Sequence, residues 1–298
     1  MAQILASEHP LAPPTLTGNT VSVDVMLKQP TRITKMIMDL TLQRFIADRI
    51  FSNGGSVTGG AVIFDKVTSN QLYSSRDVQR VEPGDEFPIV TSDRLAPSVA
   101  LVNKWGGKTF ITLEAQDRND TSLFTNRVRQ LSNTIVRKIN QVAIETLEAA
   151  VTASSRTVTG NNWSTVVVGG SSQSNQALWP AADFAKAAQQ AEQEELGVKF
   201  DLWIINPAQY TSLINVYGAA NLPALLDVLG VEIYVSNRVP AGTAYVVASG
   251  QVGQMRVEQP LKTETWYEEK TQRNWVQSSV RPVMFVDNPY AVLKFTGL

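Results

Sequence analysis

Hydrophobic and polar positions change their period several times along this 298-residue chain. Up to about residue 30 prolines and threonines dominate. A short alternation at Val21, Val23 and Val25 predicts one strand in an otherwise extended arm, able to add to a neighbour. From Thr31 the apolar residues Ile33, Met36, Ile37, Leu40 and Phe45 fall at helical spacing, with Arg44 beside them. The run ends near Phe51-Ser52-Asn53-Gly54-Gly55. Residues 54–60 are glycine-rich and read as a flexible hinge. No Lys-Ser or Lys-Thr follows as a phosphate-binding loop requires, and the glycine spacing does not fit a dinucleotide turn. Ala61-Val62-Ile63-Phe64 then opens a strand.

Residues 65–108 form a polar tract with two weak strand patterns. Turn signals at Glu82-Pro83-Gly84-Asp85 and Ser92-Asp93 separate them, and Trp105-Gly106-Gly107-Lys108 marks another reversal. Its charges alternate in sign through Asp65, Lys66, Arg76, Asp77, Arg80, Glu82, Asp85, Glu86, Asp93 and Arg94. So long an excursion with so few core positions is uncommon within a compact domain, and it makes better physical sense lying across another subunit.

The strongest periodicity follows. Asp120 is placed to cap a helix over 120–152, with Phe124, Val128, Leu131, Ile135, Ile139, Val142 and Leu147 on one stripe. At 1.5 Å rise per residue this helix is roughly 50 Å long, more than one small domain can wrap. Its charges oppose its dipole, with Arg127, Arg129, Arg137 and Lys138 preceding Glu145 and Glu148. Either solvent or partners outside the helix set that arrangement. Residues 154–175 read as a linker or loose hairpin. An α/β register follows: a helix over 180–196, a buried strand over 202–205, helices from Pro207 and over 222–229, and strands over 231–235 and 244–247. From 254 to 295 the chain is nearly all strand, with turns at Thr271-Gln272 and Asp287-Asn288-Pro289.

Composition narrows the chemistry. The length favours two domains, and 43% hydrophobic residues supply a core that excludes global disorder. Lys plus Arg number 26 and Asp plus Glu 27, for a net charge of −1. That balance argues against a protein built to neutralise phosphate. Only 18% of residues are charged, which leaves little charge to spread over a free surface, so much of that surface is expected to face protein. The absence of cysteine excludes disulfides, thiolate zinc sites and cysteine nucleophiles. The single histidine, His9, reads as an exposed residue of the arm, which leaves no Ser-His-Asp triad or two-histidine metal site.

The amino terminus lacks the features of a targeting signal, and no run reaches the 18 apolar residues of a membrane span. The glycosylation-like triplets at Asn119 and Asn162 therefore read as chance matches, and synthesis is expected in the cytoplasm. An α/β enzyme is the tempting alternative, but no glycine-rich turn follows any strand. Glu192, Glu194 and Glu195 fit a solvated helix face, Glu268 and Glu269 with Lys270 a hairpin tip, and Asp117 and Asp120 helix capping. No catalytic residue, cofactor or metal ligand is expected, and the dispersed basic residues make no nucleic-acid patch.

The order of parts, from arm and short helix through polar excursion and very long helix to α/β section and terminal strands, resembles the major capsid proteins of tailed bacteriophages. Their Hong Kong 97-type fold is shared with encapsulin shells. The resemblance covers essentially the whole chain. It is carried by Val81-Glu82-Pro83-Gly84-Asp85-Glu86-Phe87-Pro88, by Lys104-Trp105-Gly106-Gly107-Lys108 leading through Glu114 and Asp117-Arg118-Asn119-Asp120 into the helix, by Leu202-Trp203-Ile204-Ile205-Asn206-Pro207, by the 231–235 strand and by Val239-Pro240-Ala241-Gly242.

The resemblance implies an α+β fold in six parts. These are an N-terminal arm (1–30), an entry helix and hinge (31–60), an extended β-hairpin loop reaching over an adjacent subunit (61–108), a peripheral domain with its spine helix (109–154, helix 120–152), an axial domain (155–255) and terminal strands returning to both domains (256–298). It implies self-assembly as hexamers and pentamers into an icosahedral shell around double-stranded DNA, without sequence-specific binding and without a membrane. A portal is implied too. The arm is too short to hold a scaffolding segment, so either a separate scaffolding protein or earlier removal of one is expected. Inter-subunit contacts are expected at Lys66, Arg76, Arg80, Asp85, Glu86, Arg94, Arg127 and Arg137. Lys66 lies where some members form Lys–Asn crosslinks, but no asparagine partner is identified. An encapsulin-type compartment and a stand-alone α/β enzyme are the rival readings.

Overall fold

A computed structural model describes residues 22–42, 45–68, 78–89 and 97–298. The chain forms two compact units. One takes in residues up to 44, 104–138 and 259–281; the other takes in 45–103, 139–258 and 282–298.

In the first unit, Ser22 caps helix α1 (Val23–Lys28), its Oγ accepting from Val25 N–H at 3.4 Å. Helix α2 (Pro30–Leu42) follows, and Val23 with Leu27 and Ile33 with Ile37 bury themselves at four-residue spacing. After α3 (Ala47–Ile50), which belongs to the second unit, come strands β1 (Ser52–Ser56), β2 (Ala61–Asp65), β3 (Pro97–Leu101) and β4 (Trp105–Thr112), then the short helix α4 (Leu113–Asp117). The long helix α5 runs over Thr121–Ser154, and Asp120 Oδ1 caps it by accepting from Leu123 N–H at 2.9 Å. Phe124 and Val128 of α5 join Val23, Leu27, Ile33, Ile37, Ile111 and Val276 in the core of this unit. Strand β10 (Arg273–Val286) pairs antiparallel with β4, from Arg273 opposite Thr112 to Val280 opposite Trp105.

The second unit is built on a five-stranded sheet. Its strands are β5 (Thr157–Thr159), β11 (Val292–Thr296), β8 (Thr243–Val247), β6 (Leu202–Ile205) and β7 (Glu232–Val235), in that spatial order. Every residue of β6 is buried, which explains its unbroken apolar run. Helices α6 (Pro180–Glu194), α7 (Pro207–Tyr217) and α8 (Leu222–Leu229) belong to this unit, and Asn206 caps α7 through Ala208 N–H at 2.9 Å. Trp203 anchors the core, edge-on to Phe184 at 4.5 Å and tilted against Phe295 at 5.0 Å. Ala143, Ile144, Leu147 and Val151 from the later part of α5 enter the same core. Strand β9 (Gly253–Glu268) pairs parallel with β1, Ser52 lying opposite Gln254.

Five expectations are corrected. Val23 and Val25 lie in α1, not in a strand, because the Ser22 cap and the Val23/Leu27 spacing outweigh a three-residue alternation; Val21 and His9 lie outside the described residues. The glycine-rich 54–60 segment is no hinge. Its first half is β1, with Val57 N–H donating to Val257 O at 3.2 Å, and Gly59 and Gly60 make the turn into β2 at positive φ. Of the two readings of 154–175, the plain linker fails, since the segment holds β5 and a fully buried Trp163, while the loose hairpin is met where Ser174 N–H donates to Val167 O at 3.0 Å. Asp117 ends α4 and so does not cap the long helix. The buried stripe of α5 also passes through Ala143 in place of Val142, which is only half-buried.

A candidate assembly surface

Strands β2 and β3 pair only with each other among the described residues, Ile63 opposite Val99 and Ala61 opposite Leu101. A two-stranded ribbon alone is marginal in water. One of its faces is secured within the unit: Val62 packs with Val283 and Phe285, and Phe64 stacks on Phe285 at 4.4 Å. At the root, Val102 N–H donates to Gly60 O at 2.9 Å and Val67 N–H to Asp287 O at 2.7 Å. Burial pushes the Asp287 carboxyl above its ordinary value.

The other face is apolar and open. Ile63 is 74%, Val99 61% and Leu101 68% exposed. Farther along the excursion, Pro83 and Gly84 make the expected turn, with Asp85 N–H donating to Glu82 O at 3.1 Å and Gly84 at φ +101°. Beyond it Phe87 and Ile89 are exposed as fully as Ile63. A ribbon apolar on both faces, with only one face covered, is a surface waiting for protein.

Among the described residues, the charges named from sequence lie on the excursion and on helix α5. Lys66, Asp85 and Glu86 are exposed on the excursion, and Arg80 reaches Glu82 at 3.4 Å. Arg76 and Arg94 lie outside the described residues. Arg127 is half-buried, its guanidinium 4.6 Å from the centre of the Phe110 ring, on which Arg273 also lies at 4.3 Å. Arg137 is exposed, whereas its neighbour Lys138 sits 4.9 Å over the Trp105 ring. Two of the four basic residues set against the helix dipole are thus held by ring faces of β4, a cation–π attraction that offsets the dipole term. Nearby, hydrogen bonds from Thr271 and Trp275 hold the Glu268 carboxyl below its usual range.

Sequence reasoning selected charges here and passed over Ile63, Val99, Leu101, Phe87 and Ile89. A signal was present: Ala61-Val62-Ile63-Phe64 has no polar position at all, as in a strand covered on both sides.

Three networks around Arg156, Asp183 and Glu148 serve the structure of the second unit, and Glu194, expected on a solvated helix face, belongs to the first of them. The Arg156 guanidinium makes a bidentate pair with Glu194 at 2.6 and 2.9 Å and donates to the carbonyls of Val292 and Tyr290. Asp183, fully buried, accepts from Trp163 Nε1 at 2.7 Å and from Asn161 N–H at 3.0 Å. Tyr245 and Lys294 both donate to Glu148. Among the described residues no group of three His, Asp or Glu side chains is placed to hold a metal ion, and no single helix is long and apolar enough to cross a membrane.

Comparison with known proteins agrees with this picture. Residues 96–295 match a family model described as phage capsid protein. No curated protein sequence matches the chain. Among solved structures, the virus-like particle of Pyrococcus furiosus matches 89% of this chain and 98% of its own, with TM-score 0.58 and 14% identity. The capsid protein of cyanophage P-SCSP1u matches 85% and 88%, with TM-score 0.59 and 16% identity. A protein of Microbacterium phage Oxtober96 matches 85% and 90%, with TM-score 0.62 and 10% identity. These matches show the mixed helix-and-sheet capsid fold. With two-thirds of its length matched by the family model, the chain belongs to the phage capsid protein family: it is a structural protein, not an enzyme, and it assembles with copies of itself into the bacteriophage capsid.

Proposed function

We propose that this chain is the major shell subunit of a tailed phage, tiling an icosahedral head as hexamers and pentamers around double-stranded DNA. Residues 61–108 serve as the extended loop, and the open face of the β2–β3 ribbon lies on the adjacent copy. The observation that carries this reading is the pairing of Ile63 with Val99, exposed beside Leu101 on a ribbon whose opposite face is already packed. Lys66, Arg80, Asp85 and Glu86 rim that apolar strip and set the register of the contact, with Arg76 and Arg94 of the same loop assigned to it by sequence. Arg127 and Arg137 of α5 are assigned to a second contact.

Within a ring such contacts are heterologous, so the same two surfaces close as five or as six. Many weak contacts then add through multiplicity. Residues 109–154 are read as the peripheral domain, 155–255 as the axial domain and 256–298 as strands serving both. A scaffolding protein and a portal are the partners expected during assembly in the host cytoplasm. The near-neutral chain suits a wall that packaged DNA slides past.

The test is Ile63→Asp together with Val99→Asp in the full chain. Both side chains already face water, so the melting temperature is expected to stay within a few degrees of wild type while closed particles disappear from electron micrographs. Particles assembled normally by the double variant would contradict the assignment of this face.

A further inference from the structure

The paired strands of the first unit have two unlike faces. Side chains alternate along β4 and β10, so Ile111 and Val276 enter the core beside Phe124 and Val128. Lys108 and Phe110, with Trp275 opposite Phe110, point the other way. On β9 the buried Thr263 alternates with exposed Lys262, Glu264 and Trp266, and the Trp266 ring lies nearly parallel to that of Trp275 at 6.2 Å. Lys104, just ahead of β4, draws the Glu264 carboxyl down, and Arg273 shares the face of Trp275. These four basic residues are dispersed in the sequence, and strand pairing gathers them on one face.

Trp275 is held from two sides: Lys108 Nζ lies 4.4 Å over its ring, and its Nε1 donates to Glu268 at 3.0 Å. Arg273 is held too, 4.3 Å from the centre of the Phe110 ring. Trp266 keeps 40% of its surface in water, a large apolar ring left open beside its neighbour. Next to the rings a groove of about 290 Å³ runs between Lys104 and Lys108, where Gly106, Gly107, Ser278 and Ser279 place no large side chain. Four cations, Lys104, Lys108, Lys262 and Arg273, stand here against two carboxylates, Glu264 and Glu268. Glu264 is matched by Lys262 at 2.8 Å, and the Glu269 and Lys270 of the hairpin turn offset each other.

We propose that this face binds single-stranded nucleic acid, with phosphates along the lysine groove and bases stacked on the open indole of Trp266 and on Trp275. A cationic groove beside aromatic rings is the arrangement that holds a strand without reading its sequence. A duplex keeps its bases stacked on one another and offers the indoles nothing to meet. An acidic peptide matches the lysines but gains nothing from the ring pair. Trp275 and Arg273 are held in place before any ligand arrives, so little ordering is lost on binding. The inference goes beyond the shell reading and does not rest on it, since the face lies in the first unit and the β2–β3 ribbon in the second.

The test titrates the full-length protein into a labelled oligothymidylate of about 20 nucleotides, longer than a typical single-strand site, and follows fluorescence anisotropy. Saturable binding that weakens steeply with salt is expected. Trp266→Ala is expected to bind about tenfold more weakly, and Trp266→Phe to restore most of the loss. Lys104→Gln combined with Lys108→Gln is expected to flatten the log–log salt dependence by about 1.4, from two phosphates at about 0.7 each. Circular dichroism melts report folding, and the exposed lysine pair carries the test if the Trp266 variants do not fold. A duplex of the same length is expected to bind more weakly and to ignore Trp266→Ala. A wild-type protein that shows no saturable binding, or a folded Trp266→Ala that binds the oligothymidylate as wild type does, would overturn the proposal. Polyglutamate that displaces the label as well as unlabelled oligothymidylate does would make an acidic protein segment the occupant and overturn it too. Each of these results leaves the shell reading untouched.

Discussion

Arg156 is the most heavily committed charge among the described residues: nearly buried, paired through both terminal nitrogens with Glu194, and donating to two backbone carbonyls of the 290–292 turn. Nothing in its sequence context, at the edge of a Ser/Thr-rich stretch, announces this, because its partners lie 38 and about 135 residues away. Arg156→Ala strands a half-buried carboxylate and two acceptors, and is expected to lower unfolding stability by about 3 kcal/mol, read from denaturant titration. Glu148 offers a pH-dependent counterpart. Burial raises its carboxyl, but hydrogen bonds from Lys294 and Tyr245 outweigh that and hold it below the usual glutamate value. A lowered native value means the contribution is complete above the ordinary glutamate range and is lost as pH falls through the native one. Glu148→Gln is therefore expected to melt below wild type at neutral pH, with the gap closing in acid. A gap that persists unchanged in melts at the lowest accessible pH would contradict this account.

At the scale of elements, legibility followed the range of the forces involved. Helix α5 was readable because capping by Asp120 and a stripe at three- and four-residue steps are local, and β6 because four consecutive apolar residues suit a strand buried on both faces. Strand β1 was not readable: Ser52-Asn53-Gly54-Gly55-Ser56 has no strand propensity, and only pairing with β9, two hundred residues on, makes it extended. Packing against the next strand, which no local pattern announces, hides why glycine occupies 253. A Cβ there would stand 2.0 Å from Phe285 O and 2.9 Å from Val286 Cα, both backbone atoms. Gly253→Ala must push β9 and β10 apart locally, and a loss of about 2 kcal/mol is expected in equilibrium unfolding. The apolar ribbon was half legible. Its existence as a long excursion could be read, but the large residues left exposed on it, Ile63, Val99 and Leu101, are apolar, whereas the residues chosen from sequence were charges.

For the molecule as a whole, membership of the phage capsid protein family describes a protein whose working surfaces meet copies of itself. Some of its charged residues are spent on internal networks such as Arg156–Glu194, and others lie exposed on the excursion. The capsid fold was legible from the order of the parts, which survives where single positions do not. What the sequence could not supply was which apolar residues remain open once the chain has folded, since exposure is a property of the finished surface. The central claim is that this folded chain completes itself only in a closed shell, and cryo-electron microscopy of the purified full-length protein under assembly conditions tests it most directly. The account predicts closed particles built of six- and five-membered rings, with the β2–β3 ribbon of each copy lying on its neighbour. A uniform population of monomers or dimers under every assembly condition would contradict it.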